Sequence, residues 1–280
     1  MSPRVSVVVP AYNNADYIAL TIESILAQTF EDFELIIADH SSTDNTKEVI
    51  ARYSSDPRIT MLDTPSGGGA LRNWNRVTEA ATGEYIKLVC GDDLLYPDSL
   101  LTQVAAIESD PAVTLVASTR DIVDARGTVV VARRGLAGLR GTVRGAVAVR
   151  RTVVVGSNIF GEPACVLIRR STLKKVGLWD SQFPYLIDET TYARVLLEGD
   201  FLAVPEPLAA FRISDSQWSV RLVREQSAQA SAFHRWLRAE HPAVISALDL
   251  RVGNARAWLM SHVRRFAYLW LRRRMNTIDE

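Results

Sequence analysis

YIKLVCGDDLLYP, residues Tyr85 to Pro97, reads as a buried apolar run that stops at two adjacent carboxylates. Asp92 and Asp93 repel each other, and each loses hydration on leaving water, so the pair needs a compensating partner. From the residues alone three readings stay open: a divalent cation held together with a diphosphate, an acid/base dyad, or a solvated turn in which aspartate caps the next segment. The run decides the fold because it is the fourth of its kind. VSVVV (Val5–Val9), FELIIAD (Phe33–Asp39) and ITMLD (Ile59–Asp63) precede it as short, β-rich apolar runs. Helical patterns separate them. Ile18, Ile22, Ile25 and Leu26 share a face after Asp16 and end near Gln28. Val49 and Ile50 face inward after a Thr43 or Asp44 cap. Ala70 to Ala81 follows the flexible loop PSGGG and stops at Gly83. This alternation predicts an α/β fold with a doubly wound, mostly parallel sheet. In such sheets ligands bind beyond the carboxyl ends of the strands. Pro10–Asn14, Asp39–Asp44 and Asp92–Asp93 all fall there, so topology brings them to one crevice.

The bulk numbers narrow the function classes. The chain has 280 residues, 48% hydrophobic and 23% charged, enough for a substantial core. Formal net charge is zero, and no nucleic-acid module is recognisable, so a nucleic-acid partner is not expected. Cys90 and Cys165 sit in apolar surroundings without CxxC spacing, which argues against a zinc site or a disulfide framework and suits a reducing compartment. No stretch reaches the roughly 18 uncharged apolar residues of a membrane span. The expectation is a cytoplasmic protein that at most lies on a membrane surface.

The second half continues with a helix from Pro97 to about Glu108 and a strand, TLVAST. Then the composition shifts. Arg126, Arg133, Arg134, Arg140, Arg144, Arg150 and Arg151 occur with no acid before Glu162. This block reads either as a site for an anionic partner or as a solvated insertion. A strand (Ala164–Arg169), a short helix, the helix of IDETTYARVLLEGD, and two short strands split by Pro205 and Pro207 follow. From Ser219 the pattern is helical. Trp258, Leu259, His262, Val263, Phe266, Leu269 and Trp270 form one stripe, with Arg264, Arg265 and Arg272 off it. Such a stripe docks on its own domain or a second subunit, or else rests on a membrane interface.

Four segments, VSVVVPAYNN, ELIIADHSSTDNT, NWNRVTEAATGEYIKLVCGDDLLYPDSL and GEPACVLIRRSTLKKVGLWD, together and in this order resemble the inverting family 2 glycosyltransferases of the GT-A fold. The likeness runs from about Val5 to Arg212. It implies a catalytic domain over 1–217, with a nucleotide-binding half to about 120 and an acceptor half over 121–217. A helical C-terminal extension over 218–280 follows. It also implies transfer of a sugar from a nucleoside-diphosphate donor to an acceptor hydroxyl with inversion. Pro10, Tyr12 and Asn13 would edge the base pocket, Asp39 would meet the nucleoside, Asp92 the ribose, and Asp93 a Mg²⁺ or Mn²⁺ ion. Asp188, six residues before Arg194, would be the general base, with Glu189 as its substitute. Gly161 and Glu162 would lie on the acceptor side, and Arg212 would pair with the diphosphate. Asn75 would either bond the loop backbone or reach the donor.

Departures from the family pattern limit the inference. Cys90 replaces the first acid of the metal motif. His40, still counted among the donor-binding residues, replaces an acid that reads uracil, so the base is not carried over. Ile187 replaces the acid before Asp188, and Ser214 replaces a histidine. The acceptor, whether glycan, lipid-linked or small molecule, is not named by the sequence, and a homo-oligomer is allowed. Two rivals remain: a catalytically silent sugar-nucleotide-binding module, and a nucleotidyltransferase. The latter wants a Gly-rich basic signature after the first strand, where this chain has Ala11-Tyr12-Asn13-Asn14.

Overall fold

The computed structural model describes residues 2–213 and 226–271, with side chains to Arg264 in the last helix. Strands β1 (Val5–Ala11), β2 (Phe33–Asp39), β3 (Ile59–Asp63) and β4 (Tyr85–Leu88) lie parallel, β1 pairing with β2 from Val5–Phe33 to Ala11–Asp39. Every residue of β1 is buried. Such continuous burial, without alternation, marks a strand covered on both faces. The cover comes from helices that include α1 (Ile18–Leu26), α2 (Thr46–Ala51) and α3 (Gly69–Ala80).

The sheet continues through β9 (Val166–Arg169), antiparallel between β4 and β6 (Val113–Val123), and then through β10 (Asp200–Arg212), parallel to β6. A two-residue strand, β5 (Leu94–Leu95), ends the path on β10. Among the described residues the order is β3-β2-β1-β4-β9-β6-β10-β5, with β7 (Val129–Arg134) on β6 and β8 (Gly141–Val143) on β10. The mostly parallel mixed sheet is the one expected.

Details differ. The segment expected as two strands is a single one, β10. Pro205 and Pro207 are absorbed by register shifts between Val204 and Ala209, where a missing N–H leaves no gap in the ladder. The strand expected from Ala164 starts at Val166, because Pro163–Cys165 forms a tight 3₁₀ turn. The basic block is not a loose insertion. It folds into β7, β8 and the helix α5 (Gly145–Val155), which buries Ala148, Val149 and Val153 while the arginines stay exposed.

Helices α4 (Ser99–Glu108), α6 (Arg170–Lys175), α7 (Ile187–Leu196), α8 (Gln226–Glu240) and α9 (Ala247–Leu271) complete the described chain. The pair α8 and α9 is knitted to the rest. Arg150 of α5 holds Asp249 of α9 by two hydrogen bonds of 3.0 and 2.9 Å. Phe183, just before α7, meets Phe233 and Trp236 of α8 at centroid distances of 5.9 and 6.3 Å. Helix α9 docks through small residues: Gly253, Ala257 and Ser261 are buried, and a Cβ on Gly253 would overlap the carbonyl oxygen of Val153. Of the three alternatives for the apolar stripe, docking on its own domain is not the one seen at Trp258, Leu259 and Val263, which face out. Small residues win the docking face because only they let the two helix backbones come this close. Phe266, Leu269 and Trp270 of that stripe, Arg265 and Arg272 beside it, and Ser214 lie outside the described side chains.

Candidate active site

Beyond the end of β4 the chain turns through Cys90-Gly91-Asp92-Asp93. A Cβ on Gly91 would stand 2.6 Å from Asn14 Oδ1, so glycine is what lets this acid turn close against the end of β1. Asp93 is wholly buried. Its Oδ1 accepts the Arg212 backbone N–H at 3.2 Å, while Oδ2 has no hydrogen-bond partner among the described residues. Burial, then the charges of Asp92 and Glu162, push the Asp93 carboxyl well above its ordinary range; the Arg212 N–H and charge oppose this.

The Arg212 side chain engages the chain through Nε and Nη1. Its Nε donates to the Asp92 carbonyl at 3.1 Å, and Nη1 donates to the carbonyls of Asp124 and Ala125 at 3.3 and 3.0 Å. The guanidinium lies 4.6 Å from the centre of the Tyr17 ring. Arg212 thus supports the acid turn; the diphosphate contact expected of it is not one of these bonds.

Asp188 lies in the first turn of α7. Its Oδ1 accepts the Glu189 N–H at 2.8 Å, and its Oδ2 accepts from Asn158 Nδ2 at 2.9 Å. Asn158 also closes the next loop on itself, donating to the Gly161 carbonyl and accepting from the N–H groups of Phe160 and Gly161. Burial and the neighbouring charge of Glu189 raise the Asp188 carboxyl to about 7, with Glu162 adding to the rise. Glu162, on the loop that Asn158 closes, is gripped by Arg120 of β6 through Nη2–Oε1 at 2.9 Å and Nε–Oε2 at 2.5 Å.

Glu162 therefore acts on both Asp93 and Asp188. The Cys90 thiol, raised first by burial, feels Asp93, Asp92, Asp188 and Glu162 together. The two halves of the site, far apart in sequence, share one acidic cluster.

Glu189 points elsewhere. Successive helix residues are about 100° apart, and its Oε1 accepts from Thr152 Oγ1 of α5 at 2.8 Å. Burial raises it to about 7, against the Thr152 hydrogen bond and the Arg264 charge. It sits behind α7, between α5 and α9, and not on the acceptor side.

At the ends of β1 and β2, Asp39 is buried. Its Oδ2 accepts the Ser42 N–H at 3.2 Å, and Oδ1 has no partner among the described residues. With Ser41, Ser42, Lys47, Asp63, Thr64 and Pro65 it lines a hollow of about 360 Å³. Pro10 is buried in β1, and Tyr12 is half exposed, its ring centroid 6.0 Å from that of His40. Asn13, with φ of 51°, staples the loop after β2 by accepting the Thr43 N–H at 2.9 Å.

His40 is buried and not solvent-facing. Its Nε2 meets the Gly67 carbonyl at 2.9 Å, which requires the proton on that nitrogen and ties down the loop Gly67–Gly69. Asn75 bonds both the N–H and the carbonyl of Trp179, at 3.1 and 3.3 Å. Its amide makes the loop-backbone contact, and the residue also lines a hollow with Thr64, Pro65 and Arg72.

Asn158 and Arg120 were not found from the sequence. A polar residue between glycines in GSNIFG, and an arginine continuing the TLVAST strand, were the only signals. No cluster of three His, Cys, Asp or Glu side chains able to cage a metal occurs among the described residues. What is present suits a cation shared with a ligand's phosphates: one buried carboxylate with an unpaired oxygen, beside a second acid.

The family model for glycosyl transferase family 2 matches residues 6–177. Chondroitin synthase of Pasteurella multocida (strain Pm70) is 36% identical over 129 residues, which is 46% of this chain and 13% of that protein. The mannosyltransferase PcManGT from Pyrobaculum calidifontis, in complex with GDP-Man and Mn²⁺, superposes with a TM-score of 0.67 at 18% identity, covering 96% of this chain and 76% of that one. S. aureus TarS 1–349 in complex with UDP-GlcNAc gives a TM-score of 0.67 at 19% identity, covering 85% of this chain and 66% of that one. The chain thus spans a small part of the first of these relatives, and the two solved structures speak to the fold.

Proposed function

The chain belongs to glycosyl transferase family 2 and has the GT-A fold, and from that footing we propose that it moves a sugar from a nucleoside-diphosphate donor to an acceptor hydroxyl with inversion. The observation that carries this reading is the acidic cluster that Asp188, oriented by Asn158, shares with the turn of Asp92 and Asp93 through Glu162.

The nucleoside enters the hollow beside Asp39, whose free Oδ1 accepts from it, and Tyr12 and Asn13 form the rim. Asp92 meets the ribose, and the diphosphate lies against Asp93. Asp93 would hold a divalent ion such as Mg²⁺ or Mn²⁺ together with the donor, and that ion would supply charge neutralisation for the departing phosphates. The acceptor approaches along the Gly161–Glu162 loop that Arg120 and Asn158 hold rigid. As its oxygen bonds to the anomeric carbon, the bond to the diphosphate oxygen on the opposite face breaks and its electron pair leaves with the nucleotide. The hydroxyl proton passes to Asp188. A carboxyl near 7 suits that task, since it is charged at mildly basic pH yet basic enough to take a proton. A glycan hydroxyl is the acceptor class favoured by the likeness to chondroitin synthase. The two unpaired cysteines are compatible with a cytoplasmic site.

The test is a thermal-shift screen of UDP, GDP, CDP and TDP with Mn²⁺, followed by turnover with the matching sugar nucleotides. One nucleotide is expected to raise Tm, by about 2.7 kcal/mol of stabilisation at a hundredfold excess over Kd. Asp93→Asn removes the Mn²⁺-dependent part. Asp188→Asn keeps the shift and loses turnover. Full turnover by Asp188→Asn would sink the assignment of the base.

A further inference from the structure

Helix α9 has two unlike faces. Gly253, Ala257 and Ser261 turn inward, and Arg256 Nη1 reaches over to the Val154 carbonyl at 3.0 Å. On the other side stand Leu248, Trp258, Leu259 and Val263, which are 68%, 59%, 55% and 49% exposed. At about 100° per residue, Leu248, Val252, Ala255, Leu259 and Val263 fall within roughly a quarter of the circumference. Trp258 and His262 border them, with ring centroids 4.4 Å apart. From Leu248 to Val263 the ridge is about 22 Å long at 1.5 Å per residue. Exposed arginines flank it on both sides, Arg251 next to Trp258 and Arg256 opposite. The acid of the first turn, Asp249, is already held by Arg150. No residue of this ridge belongs to the cleft.

We propose that this face of α9 is a docking surface for an anionic lipid bilayer, with the helix lying in the plane of the interface. The apolar ridge enters the acyl boundary, Trp258 sits at headgroup level, and Arg251 and Arg256 meet lipid phosphates. Charge decides the occupant. From Arg221 to the C-terminus the sequence carries eleven arginines against five acids. A second copy of the same face, packed two-fold, would set Arg251 and Arg256 against their own kind with no acid on the face to answer them. Insertion across the bilayer is not the alternative, because no helix among the described residues is long and apolar enough to cross a membrane.

The experiment is co-sedimentation of the full chain with vesicles of phosphatidylcholine alone, or of phosphatidylcholine with about 30% phosphatidylglycerol. The wild type is expected to pellet with the anionic vesicles only, less so at high salt. Leu259→Glu and Val263→Glu should each lower the partition coefficient about tenfold or more. Nucleotide-induced thermal shift, unchanged in both variants, controls for folding. Failure to bind anionic vesicles, or binding that survives both substitutions, overturns the proposal. A dimer seen by light scattering that Leu259→Glu dissociates also overturns it, giving the face to a second copy. Either result leaves the glycosyl-transfer reading standing.

Discussion

Replacing Asn158 with alanine isolates the contact that holds the proposed base. Asn158 Nδ2 donates to Asp188 Oδ2 at 2.9 Å, and this donor favours the charged carboxylate. A hydrogen bond to a charged group contributes about 1.5–3 kcal/mol. This one is only part-buried, so the lower end applies, which corresponds to about one pKa unit at 1.36 kcal/mol per unit. Asp188 stands at about 7 in the wild type. Only its deprotonated form can accept the acceptor's proton, so activity falls as pH drops through that value. In the variant the acid limb of kcat/KM should move up to about 8. Near pH 7 the charged fraction then falls from about one half to about one tenth, a roughly fivefold loss, whereas near pH 9 the loss nearly vanishes. The assay is nucleotide release from the productive donor across that range. Because Asn158 also closes the Gly161 loop, Tm of the variant is measured alongside. An equal loss at every pH with an unmoved midpoint would refute the electrostatic reasoning and leave Asn158 a purely geometric role.

Other substitutions probe the neighbouring claims. Glu189 is raised to about 7 by burial, so between about 4.5 and 7 the native state holds a proton that the unfolded chain releases, and stability falls as pH rises through that window. Glu189→Gln should be more stable than wild type in urea at about pH 8, with a flatter pH profile and retained turnover; lower stability there would mean Arg264 compensates the charge in full. Gly253→Ala pushes a methyl into the Val153 carbonyl and should cost about 1–3 kcal/mol by chemical denaturation; an unchanged midpoint would contradict the close approach of α5 and α9. Tyr192 Oη is buried with no hydrogen-bond partner among the described residues, so Tyr192→Phe should gain about 1 kcal/mol. A fall in Tm would show that the hydroxyl is satisfied.

Much of the fold was legible because β1 and β2 are buried on both faces, so VSVVV and FELIIAD read as strands without any need for alternation. β5 was invisible, since two residues carry no periodicity. Helix α5 was hidden by its own arginines. The eye follows Arg144, Arg150 and Arg151, while the spacing of Ala148, Val149 and Val153 that buries one face is short and weakly apolar. The stripe on α9 is legible by its period, but its partner is not. Amphipathicity identifies two faces, but it takes the close backbone approach at Gly253 to say which one docks.

The site shows the same division. Strand ends point Asp39, Asp92 and Asp93 to one crevice and the family likeness adds Asp188, but neither aims the polar groups around them. Asn158 and Arg120 act on Asp188 and Glu162 across 30 and 42 residues of chain, and no local pattern records such a contact. Arg212 is the sharpest instance. The planar fork that would suit a diphosphate equally suits a set of carbonyls. At the end of β10 its Nε and Nη1 donate to the carbonyls of Asp92, Asp124 and Ala125. Hydrogen bonds from a charged group contribute about 1.5–3 kcal/mol each, so the chain's own carbonyls are strong partners for the fork. This inward engagement gives the acid turn a support from the residue expected to grip its ligand.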